Sequence, residues 1–289
     1  MFKAISHPFL VPFDGSCRVE DCPTVIEDRP KKKELKKELE DEIELLYDLQ
    51  RVLYAHDRYA LLVVFQAMDA AGKDSTIRSV MSGVNPAGFQ VFSFKKPSSQ
   101  ELDHDFLWRT NRCLPERGRI GIFNRSYYEE VLVVRVHPEL LGYQKLPDSV
   151  DLTTLWEDRF ESIRDMEKHL ARNGTVILKF WLNVSKHEQK QRFISRLDEP
   201  EKNWKFAAGD VTERGFWDDY MHAYEELLNA TSKPWAPWYA IPADDKPFMR
   251  LTVARIVRKT LESMGLHYPK VDKKEQARFD EMRALLEGE

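Results

Sequence analysis

A continuous apolar run followed by a glycine-lysine turn is the feature that most restricts how this chain can fold. Residues Leu61–Phe65 are all apolar and have the length of a strand buried on both faces of a parallel sheet. The turn contains Gly72 and Lys73 and leads into a helical pattern. This arrangement brings backbone N–H groups, the positive end of a helix dipole and an ammonium group together, which favours bound phosphate.

The segment therefore predicts a phosphate-binding loop, although two positions depart from the usual pattern. Ala67 stands where the first glycine is usual, and Asp74 stands where Ser or Thr is usual, with Ser75 next. The residues predicted to contact phosphate here are Ala70, Ala71, Gly72, Lys73, Asp74 and Ser75. The alternative interpretation is an ordinary strand-turn-helix in which Asp69 caps the helix and Lys73 is solvated.

Asp69 is unusual in such a loop, because its carboxylate would repel a bound phosphate. A cation between the two groups would remove that repulsion. Mg²⁺, held by Asp69 and by phosphate oxygens, is the natural candidate.

Strand-like and helical stretches alternate along the rest of the chain. The predicted strands lie near 61–65, 90–94, 119–123, 175–182 and 238–241. This alternation predicts an α/β fold, a three-layer sandwich with a five-stranded parallel sheet and helices on both faces. Lys31–Ala55 has the period of an amphipathic helix, and Ser185 with Glu188 forms a capping-box pattern at another helix start.

We expect three regions along the chain. Residues 1–55 form an irregular, proline-containing arm followed by the amphipathic helix, 56–265 form a P-loop core, and 266–289 contain a C-terminal helix. Within the core, about 198–218 is polar, carries two glycines and is predicted to be a lid.

Composition limits the possible partners. The net charge is -4, so the chain lacks the global basic field that is typical of nucleic-acid binders. The three cysteines, Cys17, Cys22 and Cys113, have no paired CxxC spacing, which argues against a disulfide framework and a zinc site. No apolar run reaches the about 18 residues of a membrane span, so we expect a cytoplasmic protein without a membrane partner.

The strand predicted near 119–123 ends in Asn124 and Arg125, at the sheet edge where ligands bind in α/β folds. In proteins with such a phosphate loop, a second strand usually ends in an acidic residue beside the loop, and here Asn124 stands at that position. Its amide oxygen can ligate a metal or orient a ligated water. Glu129, about one helical turn beyond Arg125, could supply the missing charge. The alternative is that Glu129 is an ordinary helix-surface acid.

Basic residues are locally in excess around this edge. From Lys95 to Arg125 there are seven basic and four acidic residues, and we predict that Lys95, Arg109 and Arg125 bind phosphate. Arg192 and Arg196 are four residues apart on one helix face, which suits a chain of phosphates.

The predicted lid contains Lys205, Asp210 and Arg214. Its closure would bring Lys205 or Arg214 over a transferring phosphoryl group and exclude water, which would suppress hydrolysis.

Five ordered motifs match one known family: Phe-Gln-Ala-Met-Asp-Ala-Ala-Gly-Lys-Asp at 65–74, Phe-Asn-Arg-Ser at 123–126, Asn-Trp-Lys-Phe at 203–206, Ala-Pro-Trp at 236–238 and Pro-Ala-Asp-Asp-Lys at 242–246. With them the chain resembles the polyphosphate kinase 2 family over about 55–265. The resemblance implies a thymidylate-kinase-like P-loop fold with a helical lid. It also implies transfer of the terminal phosphoryl of inorganic polyphosphate to a nucleotide with Mg²⁺, which Mn²⁺ could replace.

The resemblance implies roles for individual residues. Lys73 would contact the phosphoryl, and Asp69 would hold magnesium or activate the acceptor. Arg125 would bind phosphate. The residues expected at the nucleotide and lid are Asn124, Glu129, Lys205, Asp210 and Arg214, with Asn124 as a second metal ligand, partly through water.

Asn124 together with Glu129 resembles the class III form of the family, whose members phosphorylate both nucleoside monophosphates and diphosphates. The expected acceptors are adenine or guanine nucleotides. Family members are commonly dimers or tetramers, so we expect a homodimer or homotetramer.

Two other functions stay open on the residues alone. A nucleoside monophosphate kinase with ATP as donor would use the same loop, basic residues and lid. A polyphosphate or nucleic-acid binder without turnover would need neither Asp69 nor a lid. The extended basic set outside the loop favours a polymeric donor.

Overall fold

The apolar run after residue 60 forms the central strand of a parallel sheet in the computed structural model, which describes residues 2–288. The strands are β1 (Ala60–Gln66), β2 (Phe89–Ser93), β3 (Ile120–Asn124), β4 (Thr175–Asn183) and β5 (Trp238–Pro242). Their order is β2-β3-β1-β4-β5, and all neighbouring strands are parallel. This confirms the predicted five-stranded parallel sheet and the position of each strand.

Helices surround the sheet. The α-helices are α1 (Lys32–His56), α2 (Lys73–Val80), α3 (Ser99–Leu102), α4 (Trp108–Asn111), α5 (Val133–Val136), α6 (Leu155–Arg172), α7 (Lys186–Asp198), α8 (Ala208–Glu213), α9 (Trp217–Thr231), α10 (Lys246–Ser263) and α11 (Lys273–Glu287). On one side α2 and α10 pack together with α1 outside them, and α6 packs against β4 and α9 on the other. Right-handed crossovers between parallel strands require this division.

The helix predicted over 31–55 extends along α10. Leu35, Leu46 and Leu53 form its buried stripe. Ion pairs from α10 to Glu38 and Glu42 of α1 hold the two helices together at their edge. Some charged residues of α1 therefore pair with α10, and the others face solvent.

Residues 2–31 run over the surface and pair with the outer edge of the sheet. The Val11 amide donates to the Trp238 carbonyl at 3.0 Å, and the Ala240 amide donates to the Phe9 carbonyl at 2.9 Å. These bonds use backbone groups that an edge strand would otherwise expose.

A fully buried ion pair joins β4 to α6. Lys179 Nζ lies 2.7 Å from Glu167 Oε2, and both side chains are inaccessible to solvent. The hydroxyls of Tyr127 and Tyr128 donate to Glu167 Oε1 at 2.8 and 2.9 Å. Because both tyrosines follow β3, this cluster fixes the chain segment that leaves the carboxyl end of that strand.

The predicted lid region is helical. It contains the 3₁₀ helix Pro200–Lys205, then α8, then the 3₁₀ helix Arg214–Phe216. In the last helix, α11, every side chain is exposed. None of the helices within residues 2–288 is long and apolar enough to cross a lipid bilayer.

Candidate active site

The loop between β1 and α2 closes tightly over the start of α2. Ala70 has φ 60° and Gly72 has φ 113°, both in the left-handed region. A Cβ on Gly72 would lie 3.3 Å from the Met249 methyl group, so glycine serves both the conformation and the close approach. The loop leads directly into the N-terminus of α2, where free backbone N–H groups and the helix dipole favour a bound phosphate.

Lys73 is buried within this loop. Its Nζ donates to the carbonyl of Ala67 at 2.7 Å and to that of Met68 at 3.4 Å. An ammonium group has three N–H donors, so one remains for a ligand. Burial, reinforced by the nearby Arg125, lowers the pKa of Lys73 to about 8.

Arg125 is the centre of a charge cluster beside the loop. It forms an ion pair with Asp69, and its Nη1 lies 3.0 Å from Glu129 Oε2. Gln66 Nε2 donates to the other oxygen of Glu129 at 2.8 Å. The Glu129 side chain is only 15% exposed, which excludes the interpretation of Glu129 as an ordinary surface acid.

These neighbours set the protonation states. Burial raises the pKa of Asp69, but Arg125 and Lys73 outweigh burial, so the pKa lies below its usual value. The Glu129 carboxylate raises the pKa of Arg125 above its already high value. Asp69 is therefore ionised and Arg125 charged at neutral pH.

Asn124 ends β3 next to the loop. Its Nδ2 donates to Asp74 Oδ1 at 2.7 Å, which gives Asp74 a role in place of the usual Ser or Thr. The amide oxygen, Oδ1, is buried and has no hydrogen-bond partner among residues 2–288. An orphaned buried oxygen of this kind is suited to a cation or to a water bound by one.

The donor set fits Mg²⁺. In the part of the chain that the structure describes, no group of three or more His, Cys, Asp or Glu side chains could enclose a metal. Mg²⁺ prefers oxygen ligands and keeps several waters and substrate phosphates, so one or two protein oxygens are enough. The Asp69 carboxylate and the Asn124 amide oxygen provide that number.

The lid reaches the loop through a glutamine. Arg214 Nη1 donates to Gln189 Oε1 at 2.6 Å, and Gln189 Nε2 donates to the carbonyl of Asp69 at 2.9 Å. Arg196 Nη1 lies 3.0 Å from Asp210 Oδ2 of α8. The lid is therefore tied both to the loop and to α7.

A narrow cleft of about 30 Å³ lies between loop and lid. Its lining residues are Ala67, Met68, Asp69, Arg125, Glu129, Leu132, Val133, Gln189, Asp210, Glu213, Arg214, Tyr220 and Tyr224. The structure thus brings together the predicted residues Asp69, Arg125, Glu129, Asp210 and Arg214 around one opening.

Arg192 has a different place from the one predicted. Its Nη1 donates to the carbonyls of Ala70 and Ala71 at 3.0 and 2.6 Å, and its Nη2 donates to those of Ala243 and Asp244 at 2.7 and 3.0 Å. A guanidinium with these partners fastens the phosphate loop to the segment after β5. The geometry makes Arg192 a positioning residue and leaves it no free fork for phosphate.

Some of the predicted phosphate and lid residues, among them Lys95, Arg109 and Lys205, lie outside the narrow cleft. Lys95 is exposed, and its carbonyl accepts a 2.7 Å hydrogen bond from the buried Arg109. Arg109 lines a second, larger cavity on the β2 side. Lys205 is exposed, with its ammonium 4.9 Å from the centre of the Trp204 ring.

Several groups of the site were not predicted from the sequence. Gln189 lies three residues before Arg192 and seven before Arg196, so helical spacing could have placed it on their face. Gln66 and the cleft tyrosines Tyr220 and Tyr224 had no comparable signal, because their positions depend on tertiary packing.

The family model described as "Polyphosphate kinase 2 (PPK2)" matches residues 29–269. A Rhodopseudomonas palustris protein named ADP-polyphosphate phosphotransferase is 56% identical over 249 residues, which cover 86% of each chain. A Meiothermus ruber protein named AMP/ADP-polyphosphate phosphotransferase is 48% identical over 224 residues, 78% of this chain and 80% of that one.

Among solved structures, the crystal structure of polyphosphate kinase 2 from Arthrobacter aurescens is similar over 96% of this chain and 99% of the other. The TM-score is 0.80 and the sequence identity is 34%. The similarity therefore extends over almost the whole of both chains.

Proposed function

This chain belongs to the polyphosphate kinase 2 family, and from that premise we propose that it transfers the terminal phosphoryl group of inorganic polyphosphate to nucleoside monophosphates and diphosphates. The reactions would convert AMP to ADP and ADP to ATP. The observation that carries the proposal is the contact of Asp69 and Glu129 with one guanidinium, Arg125, directly beside the Lys73 loop.

The proposed chemistry is a direct in-line transfer. An oxygen of the acceptor phosphate attacks the terminal phosphorus of the chain, the bond to the bridging oxygen breaks, and the polyphosphate leaves one unit shorter. Lys73, Arg125 and the loop N–H groups would hold the transferred group and stabilise its charge. Such positioning requires no covalent enzyme intermediate.

A divalent cation, Mg²⁺ or in its place Mn²⁺, would be held by Asp69 and Asn124. When bound it would neutralise phosphate charge that Asp69 alone would repel. The unpartnered amide oxygen of Asn124 and the ionised state of Asp69 support this assignment.

The lid would close over the donor chain. Arg214 lines the narrow cleft, and Lys205 lies on the preceding 3₁₀ helix, from which a further closing motion could bring it inward. Closure would exclude water, so that the phosphoryl group reaches the nucleotide rather than a hydroxyl of water.

The proposal extends to partners and location. We expect adenine or guanine nucleotides as acceptors, no nucleic-acid or membrane partner, a cytoplasmic location and a homodimer or homotetramer. The Rhodopseudomonas palustris protein is named for ADP and the Meiothermus ruber protein for AMP and ADP, which supports acceptors of both lengths.

The test is ATP formation from ADP and polyphosphate, with and without Mg²⁺. The proposed function requires ATP that depends on both polyphosphate and the metal, and requires Lys73→Ala to reduce it by orders of magnitude. Transfer to AMP from ATP but not from polyphosphate would indicate an ordinary nucleotide kinase. Polyphosphate binding without any transfer would indicate a binding protein.

A further inference from the structure

Two cysteines of the N-terminal arm lie in contact with each other and have no role in the transfer chemistry above. Cys17 Sγ and Cys22 Sγ are 3.9 Å apart, and both residues are free thiols. A disulfide bond joins sulfurs at about 2 Å, so the two atoms need to approach by roughly 2 Å, which is within the reach of rotation about χ1. The pair lies five residues apart in the chain, a spacing that matches no cysteine motif.

The first cysteine is anchored to α9. The Cys17 amide donates to Asn229 Oδ1, and Asn229 Nδ2 donates to the Cys17 carbonyl, both at 2.9 Å. The 3₁₀ helix Val19–Asp21 follows, and the Val19 amide donates to Glu225 Oε2 at 2.8 Å. Because Asn229 and Glu225 both belong to α9, this end of the turn is fixed on that helix.

The second cysteine is anchored on the other side of the turn, at the sheet. Asn183, the last residue of β4, donates from Nδ2 to the Cys22 carbonyl at 2.9 Å. Two residues later, the Thr24 carbonyl accepts a 3.0 Å hydrogen bond from the Asp244 amide. A bond between the two sulfurs would therefore connect α9 to the carboxyl end of β4 and to the segment after β5.

That segment supports the phosphate loop. The carbonyls of Ala243 and Asp244 accept hydrogen bonds from Arg192 Nη2 at 2.7 and 3.0 Å. Through Nη1 the same guanidinium donates to the carbonyls of Ala70 and Ala71 in the loop. A turn that is held more firmly against Asp244 therefore holds the support of the loop more firmly as well.

The surroundings of the cysteine pair favour oxidation. A hydrogen bond from Cys22 lowers the pKa of the Cys17 thiol and raises the pKa of the Cys22 thiol. Cys17 is therefore the better source of thiolate, which is the form that reacts. Cys22 is half-buried and lies against it as the second thiol. A thiolate with a second thiol at contact distance is the arrangement of redox-sensing cysteine pairs.

We propose that Cys17 and Cys22 form a reversible disulfide, with a hydroperoxide as the oxidant, and that this bond stabilises the arm on the support of the phosphate loop. This modification does not depend on which donor or acceptor the active site uses.

The oxidation takes place in two steps. The Cys17 thiolate attacks one oxygen of the hydroperoxide, the O–O bond breaks, and the other oxygen leaves as an alcohol or water, so that Cys17 becomes a sulfenic acid. The Cys22 sulfur then attacks the Cys17 sulfur, the S–O bond breaks, and water leaves with the Cys22 proton. The two sulfurs lose two electrons, which reduce the hydroperoxide. Thiol–disulfide exchange with reduced glutathione reverses the bond.

Peptide mapping tests the bond directly. Arg18 lies between the two cysteines, so trypsin separates them into peptides 4–18 and 19–31. After hydrogen peroxide treatment of the folded natural chain and alkylation of free thiols, these peptides should be recovered joined, and reduced glutathione added before digestion should separate them. Cys113 is the matched control, because burial raises the pKa of its thiol, and it should be recovered alkylated. Peptides that become joined only in the urea-unfolded chain, or not at all, would overturn the proposal.

The stabilising effect has its own measurement. The disulfide closes a loop of six residues, 17–22, and restricts the unfolded chain, so oxidation should raise the Tm of the natural chain by about 2–4 °C. Cys22→Ser keeps a small polar group at a half-buried position, and its Tm should not respond to peroxide. Cys113→Ser should respond as the natural chain does. An unchanged or lower Tm in the oxidised natural chain would overturn the proposal.

The connection to the phosphate loop is tested by hydrogen exchange. Amide exchange at 70–72 and 243–244 should slow several-fold in the oxidised natural chain and remain unchanged in peroxide-treated Cys22→Ser. Equal exchange in the oxidised and reduced natural chain, with the two peptides joined, would refute the proposed effect on the loop support.

Discussion

Arg125 combines two tasks in one side chain. Its guanidinium joins a carboxylate of the phosphate loop, Asp69, to a carboxylate that follows β3, Glu129. Its backbone is left-handed, with φ 62°, which is uncommon outside glycine. Strained backbone at such a position is tolerated when the surrounding contacts hold it, here the tyrosine anchors on Glu167.

Glu129 should matter more for monophosphate than for diphosphate acceptors. AMP has one phosphate fewer with which to hold itself in the site, so it depends more on the orientation that Glu129 imposes on Arg125. We expect Glu129→Gln to lower kcat/KM for AMP at least tenfold more than for ADP. Glu139→Gln, on an exposed carboxylate, is the control. Equal losses for the two acceptors would contradict the class III assignment.

The pKa of Lys73 predicts a basic limit to donor binding. Since the pKa is about 8 in the free protein, Lys73 carries its charge below pH 8 and loses it as the pH rises through this value. We expect kcat/KM for polyphosphate to fall above about pH 8 with the slope of one proton. The decrease in kcat should begin at a higher pH than the decrease in kcat/KM, because bound phosphate stabilises the charged ammonium of Lys73. If kcat/KM for polyphosphate stayed constant up to pH 10 while the circular dichroism spectrum was unchanged, donor binding would not depend on the charge of Lys73.

At the residue scale, the sequence predicted where in the fold the charged side chains lie better than it predicted which groups they contact. Asp69, Lys73 and Arg125 lie where a strand-loop-helix pattern and the strand end placed them. Arg192 shares a face with Arg196 as expected, but whether a guanidinium meets a ligand or four carbonyls depends on where the segment after β5 runs. Helical spacing carries no information about that segment.

The lid and the core helix α7 act as one unit through the Arg196–Asp210 pair. We expect Asp210→Asn to loosen the lid, because a partly buried ion pair of this kind contributes roughly 1 kcal/mol. The measurable effect is a several-fold increase in free phosphate released per nucleotide phosphorylated. Asp218→Asn, at an exposed position on α9, is the control. An unchanged ratio of hydrolysis to transfer would show that this pair does not govern closure.

The buried Lys179–Glu167 pair connects β4, α6 and the segment after β3. Removing one partner leaves an uncompensated buried charge, so Glu167→Gln should lower the free energy of unfolding by about 3–5 kcal/mol. Urea unfolding measures the change. Glu157→Gln breaks an exposed pair of the same helix and should cost less than about 1 kcal/mol. Similar costs for the two variants would contradict this view of the cluster.

The regular elements were predictable, whereas the polar core was not. Apolar runs placed β1, β3 and β5 because strands buried on both faces leave no polar alternation, whereas the edge strand β2 carries Gln90 and Ser93 and is largely exposed. A lysine in the middle of β4 gives no sequence indication that it is fully buried, since its partners come from α6 and from the residues after β3. The helical character of the lid was implied by the family resemblance and could not be read from its polar, glycine-containing sequence itself.

At the scale of the whole molecule, one helix, α11, is not packed into the core. All of α11 is exposed, including Phe279, Met282, Leu285 and Leu286, although a helix of this length is marginal alone in water. Its first half, 273–279, has a net charge of +2, and its second half, 280–287, has -2. In the proposed homodimer or homotetramer, two copies side by side in antiparallel orientation would pair these charges and cover the apolar face.

Phe279→Glu with Leu286→Glu should therefore lower the oligomeric state. Light scattering coupled to gel filtration measures the mass, and urea unfolding monitored by Trp fluorescence checks that the core is intact. Lys270→Glu, an exposed change before the helix, is the control. A mass that is unchanged by the double variant would exclude α11 from the subunit contact.

The pairing of residues 9–11 with β5 also has a consequence for how the chain is made. These residues leave the ribosome early, but their partners at 238–240 are more than 220 positions later. At about 5–20 residues per second, the early segment waits roughly 10–50 s before its strand exists. The arm is thus the last part of the sheet to be closed, and during synthesis the unfinished protein is open at the edge where a chaperone or a neighbouring nascent chain would first make contact.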